Sequence, residues 1–168
     1  MEESTFEGFV RWGVSSAGDV AQVVEVSPFK LEQWVRLGAV VPLVASKGTG
    51  TARGYGFKEL VRAALCRELE GLGIAPRQLA RFTRPWAGSL SRSEEGSSLP
   101  LFVAFFDEGG DDLRVSLVYD DARLVALLGK QAEPLLVLPY RRFVQKVRAR
   151  AEKLWRDRVK PYAGGDAR

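Results

Sequence analysis

The spacing of two short amphipathic helices constrains this chain more than any other feature. Ser16 caps a helix predicted to run to about Glu25, with Val20, Ala21, Val23 and Val24 on its apolar side. Ser27-Pro28 then restarts a helix, with serine as cap and proline at the first helical position, where its missing N–H is harmless. Leu31, Trp34, Val35 and Leu37 recur at helical spacing, and Gly38 supplies the stop. Only two or three residues around Val26 separate the helices. So short a joint cannot fold back as a long antiparallel hairpin; the helices must cross steeply, as in a helix-turn-helix. Leu31, Trp34 and Leu37 share a face and are expected in the core.

Val40, Val41 and Leu43 then read as a short strand, and Pro42 confines it to a sheet edge. Residues 47–53 form a small basic tip, and Tyr55 opens a return strand, so a hairpin stands beside the helix pair as a wing. Gly56 caps a longer helix bearing Phe57, Leu60, Val61, Ala64, Leu65 and Leu69, which Gly71 and Gly73 end. Pro76 starts one more short helix with Leu79, Ala80 and Phe82. Thr83–Pro100 holds five Ser, two Gly and two Pro with no helical or strand period, and reads as a linker too polar to share a core.

Beyond it, 101–106 and 113–119 form a hairpin around the acidic turn Asp107–Asp112. Asp120 or Asp121 caps a helix over 122–128, closed by Gly129, and Leu135–Leu138 is a further buried strand. Tyr140–Trp155 is the longest helix, with Phe143, Val147, Ala151 and Leu154 on one face. Three readings stay open for it: pairing with its mate as a dimer helix, packing back on its own sheet, or contacting DNA; folding back on the sheet ranks first, because the stripe is too short for sustained heptads. The fold class is α+β: an N-terminal winged helix-turn-helix and a small C-terminal α/β domain of hairpin, helix, strand and long basic helix. The expected organisation is an N-terminal extension over 1–14, the winged unit over 15–82, the linker over 83–100, the C-terminal domain over 101–160 and a tail over 161–168.

Charge is unevenly distributed: residues 11–84 carry a surplus of five positive charges, 85–140 a surplus of five negative, and 141–160 a surplus of seven positive. Basic blocks of this kind suit a polyanion. The chain has no histidine and one cysteine, Cys66, which removes the commonest metal ligand, the usual general base and any intrachain disulfide. The Asp107–Asp112 turn lacks the alternating spacing of a calcium loop and reads as solvated. No cofactor, no metal and no enzymatic activity are expected. The apolar runs are too short to span a membrane and the N-terminus is acidic, so a cytoplasmic protein is expected.

Gly18-Asp19-Val20-Ala21, Val26-Ser27-Pro28, Leu31, Trp34-Val35-Arg36, Gly38 and Pro42 stand in a familiar order, followed by Gly54-Tyr55, Phe57-Lys58-Glu59-Leu60, Cys66-Arg67-Glu68-Leu69 and Leu72-Gly73-Ile74. This pattern, over roughly residues 16–82, resembles the MerR-type winged helix-turn-helix family of transcriptional regulators. Its Trp-Val-Arg second helix is similar to a divergent branch that shades into excisionases and antitoxin-like regulators. Glu32 stands where better-known members place a DNA-contacting arginine, and Gln33 replaces an aromatic. The cysteines of the metal-sensing members are missing except for Cys66.

The resemblance implies a DNA-binding regulator acting as a homodimer on double-stranded DNA. In the second helix Lys30 and Gln33 offer hydrogen bonds to base edges or phosphates, Phe29 can meet a thymine methyl, and Arg36 and the capping Ser27 complete the set. In the wing the candidates are Lys47, Thr49, Thr51, Arg53 and Tyr55. Glu32 either accepts from a cytosine amino group or repels phosphate. The C-terminal domain is expected to carry self-association, and a protein partner or small-molecule effector could bind there. The alternative is a protein–protein adaptor or antitoxin-like regulator that keeps the fold with little or no DNA binding.

Overall fold

The computed structural model describes residues 15–44, 53–85, 99–107, 109, 113–129 and 136–163. Ser16 caps α1 (Ala17–Val24) reciprocally: its Oγ accepts from the Asp19 N–H at 3.2 Å, while Asp19 Oδ2 accepts from the Ser16 N–H at 3.0 Å. The helix ends at Glu25, whose φ of 57° is left-handed. That conformation costs a residue bearing a Cβ on the order of 1 kcal/mol. It turns the chain sharply enough for Ser27 to cap α2 (Pro28–Arg36) almost at once. The chain leaves α2 through Gly38 at φ 70°, a conformation glycine adopts without a side-chain penalty.

Gly56 precedes α3 (Phe57–Gly71), and the Glu59 carboxylate accepts from its N–H at 3.0 Å. All six residues expected on the apolar face of α3 are buried. A 3₁₀ turn, Pro76–Gln78, leads into α4 (79–85), where Leu79, Ala80 and Phe82 are buried as expected.

The C-terminal half is built on β1 (Phe102–Phe106), β2 (Arg114–Val118) and β3 (Leu136–Leu138), arranged β2-β1-β3 and antiparallel throughout. Phe102 faces Val118, and Phe105 faces both Val115 and Leu136. Asp120 caps α5 (Asp121–Leu128) by accepting from the Arg123 N–H at 2.7 Å, and Gly129 ends it. The longest helix, α6 (Tyr140–Ala163), runs beyond the expected end at Trp155. The molecule is therefore mixed α+β, and no helix among the described residues is long and apolar enough to cross a membrane.

The two halves share one core. Val20, Trp34, Leu60, Leu65 and Phe82 belong to the same buried cluster as Val103, Phe105, Tyr140, Val144, Val147 and Ala151. Phe82 meets Phe105 edge to face at 5.3 Å between ring centroids, a favoured aromatic geometry. Arg81 reaches Asp107 at 3.4 Å, and Arg141 of α6 donates to the Leu99 carbonyl at 2.6 Å. The expectation of separate cores across a polar linker is thus corrected. Helix α4 continues through 85 and Thr83 is fully buried, so the packed chain reaches past the expected start of the linker. Residues 86–98 of that linker lie outside the described residues, as do the whole 1–14 extension and the 164–168 end of the tail.

Other expectations also change. The strand expected over Val40–Leu43 is not one; Val44 makes a single bridge to Gly54, and Val41 and Leu43 are exposed. Tyr55 bridges Ser15 instead of opening a hairpin strand. Leu37, expected in the core, is 37% exposed because α2 has ended at Arg36 and the chain is turning away. The buried stripe of α6 is Tyr140, Val144, Val147 and Ala151, with Phe143, Leu154 and Trp155 half-buried at its margins. That stripe packs on α1 and α3 as well as on β1, so the helix does not simply fold back on its sheet. Among the described residues, exposed large apolar side chains also lie mainly in the N-terminal half, at Phe29, Leu37, Val41, Leu43, Val44 and Leu72, against Val125 and Leu128 in the C-terminal half.

Candidate nucleic-acid interface

The candidate surface starts from the anchoring of α2. Trp34 is 0% exposed, and its indole N–H donates to Glu70 Oε1 of α3 at 3.0 Å. A buried indole needs such a partner, since an unpaired buried donor costs about 1–3 kcal/mol. The other Glu70 oxygen ion-pairs with Lys30 Nζ at 2.8 Å. One carboxylate thus fixes the buried face of α2 and holds a cation at its rim. Ser27 is exposed and spends its oxygen as a cap, accepting from the Lys30 N–H at 3.2 Å. Phe29 projects into solvent at 77% exposure, and Gln33 lies one turn on, 3.5 Å from Lys30 Nζ.

Glu32 stands at the opposite margin of this face from Lys30. It receives Arg36 Nε at 3.3 Å from the next turn and Arg53 from the far side of the 45–52 segment. The hydrogen bond from Arg53 is the main cause that holds the Glu32 carboxyl below its usual range; the same bond raises Arg53. Glu32 is therefore the counter-ion of two arginines and ties α2 to the chain returning at Arg53.

Among the candidates, Ser27, Phe29, Lys30, Gln33, Arg36 and Arg53 come together on and beside one helix face. Tyr55 does not join them as a surface group: it is 1% exposed and packs in the core, where burial pushes its phenol up. Its side chain supports the fold and is not open to a duplex. Lys47, Thr49 and Thr51 lie outside the described residues.

A second carboxylate was not singled out by the sequence. Glu25, in the turn between α1 and α2, accepts from Arg67 of α3 at 2.7 Å and ion-pairs with Arg150 of α6 at 3.1 Å. Arg67, followed by the fields of Arg150 and Lys146, holds its carboxyl below the usual range. Neither Glu25 nor Glu70 carries a local signal, because their partners are distant in sequence.

Cys66 is buried on α3, and burial pushes its thiol strongly up, away from thiolate reactivity. Asp107 is engaged by the Gly109 N–H and by Arg81, and no group of three metal-ligating side chains occurs among the described residues. Compared with protein-family models and with curated proteins, the chain matches none.

Proposed function

We propose that this chain is a sequence-specific double-stranded DNA-binding regulator that uses a winged helix-turn-helix of the MerR type. The observation that carries the reading is the outward face of α2. Phe29, Lys30, Gln33 and Arg36 stand on a helix whose opposite side is locked by Trp34, close behind a left-handed turn. With α2 in a major groove, Lys30 and Gln33 address base edges and Phe29 meets a thymine methyl. Arg36 and Arg53 then exchange Glu32 for phosphate oxygens, and Lys47, Thr49 and Thr51 continue the contact along the backbone. One such face reads few base pairs, so a two-fold dimer on a repeated half-site supplies useful affinity.

The test is selection from a random duplex pool followed by titration over a salt series. The reading requires an enriched motif and affinity that falls with salt as phosphates are neutralised.

A specific observation also favours a second reading, the protein–protein adaptor. Lys30, Arg36 and Arg53 each already hold a carboxylate, and the apolar Phe29, Leu37, Val41 and Leu43 lie exposed on the same stretch of chain. An adaptor would show neither motif enrichment nor a duplex salt slope.

A further inference from the structure

Helix α6 presents a second cationic surface. Arg142, Lys146, Ala149, Lys153 and Arg156 are exposed and recur every three or four residues, so they form one stripe along the helix. The opposite stripe, Tyr140, Val144, Val147 and Ala151, is buried in the shared core, which fixes the outward direction of the cations. Arg156 is paired with Glu152 one turn back, whereas Arg142, Lys146 and Lys153 form no ion pair among the described residues. From Arg142 to Lys153 the row extends about 16 Å at 1.5 Å per residue. A duplex presents one charge per ~1.7 Å of its axis, so several phosphates fall within that length. The exposed stripe has no large apolar side chain, which an interfacial membrane helix would need.

Its position matters as much as its charge. Arg150, on the flank of the stripe, is bound to Glu25, two residues before Ser27 caps α2. Helix α6 therefore passes directly beside the turn from which α2 begins. We infer that the Arg142–Lys146–Lys153 stripe of α6 is a second duplex-binding surface, engaging phosphates of the same DNA that α2 reads. This inference rests on the DNA-binding reading of α2.

The experiment uses the full chain, unchanged and as the triple variant R142Q/K146Q/K153Q, titrated against one selected duplex over a salt series. Circular dichroism is expected to show the same fold, because all three positions are exposed. The expected result is a log–log salt slope shallower by about 2.7 in the variant, three phosphates' worth. The selected motif should be unchanged. Identical slopes for the two proteins would overturn the inference and leave the α2 reading standing. Failure of the unchanged chain to bind any duplex would overturn both. An unchanged duplex slope together with binding to anionic phospholipid vesicles that the variant loses would assign the stripe to a membrane surface instead, and would also overturn it.

Discussion

Helices α2 and α6 both turn cations toward solvent, but both cations of α2 are held by carboxylates, whereas on α6 Arg150 and Arg156 are paired and a row of three others is not. Lys30 is held by Glu70, and Arg36 and Arg53 share Glu32. On α6 the row Arg142, Lys146 and Lys153 makes no direct ion pair among the described residues, and only Lys146 lies in the field of a carboxylate described above, Glu25. A neutralised cation attracts a distant polyanion weakly and must exchange partners on contact, so its contribution depends on fit. An unneutralised one attracts any phosphate at a range set by the ionic strength. Under the proposed reading, this contrast assigns discrimination to α2 and general capture to α6.

Removing the anchor of α2 is the most drastic way to break this comparison. Trp34→Ala is expected to destabilise the protein by roughly 3–5 kcal/mol, the cost of truncating a buried aromatic. Because the core is shared, urea unfolding followed by circular dichroism should remain a single transition at lower midpoint. Loss of the helical signal in two separate steps would show that the halves unfold independently.

Replacing the counter-ion should sharpen the comparison. Glu32→Gln removes the negative charge facing Arg36 and Arg53, so duplex affinity at low salt should rise several-fold and the salt slope should steepen by about one phosphate's worth. If Glu32→Gln instead weakened binding and relaxed the selected motif, Glu32 would be a base-reading group. Arg53→Ala should act in the opposite direction, weakening all sequences alike and flattening the slope by about one phosphate's worth, whereas Lys30→Ala should also alter sequence preference.

The ion pairs give a smaller, pH-dependent effect. The carboxyls of Glu25 and Glu32 titrate below their usual values in the folded protein. Their contribution is present above the ordinary carboxylate value, ~4, and is lost as pH falls through the depressed one. Stability measured over an acid series should drop in that window, and Glu25→Gln should reduce the drop. The smallest effect concerns Cys66, whose raised thiol leaves it neutral in the folded state when an unfolded chain would already ionise. Its contribution is therefore intact below the unfolded value and fades as pH rises. A thiol reagent at neutral pH should modify Cys66 only on unfolding.

Local chemistry was readable where it acts locally. Ser16, Ser27 and Asp120 cap the helices they were expected to cap, and the apolar face of α3 follows its periodicity. Composition was misleading at the linker: its run of Ser, Gly and Pro predicts separation, but Phe82 and Phe105 on either side pack together. A polar connection reports on its own solvation and says nothing about whether the flanking apolar surfaces meet. The same limit applies to the candidate interface. Its exposed residues follow from the face opposite Trp34, while Glu70 and Glu25 act through partners that only the tertiary fold brings near.

The contact between Glu25 and Arg150 has a consequence for folding. It joins the turn after the first described helix to the last described helix, and closing so long a loop costs entropy before the packing repays it. Until α6 docks, α1 and α3 lack part of their apolar cover. A chain cut before α6 would leave that apolar surface of α1 and α3 open to solvent, whatever the strength of its own helix caps.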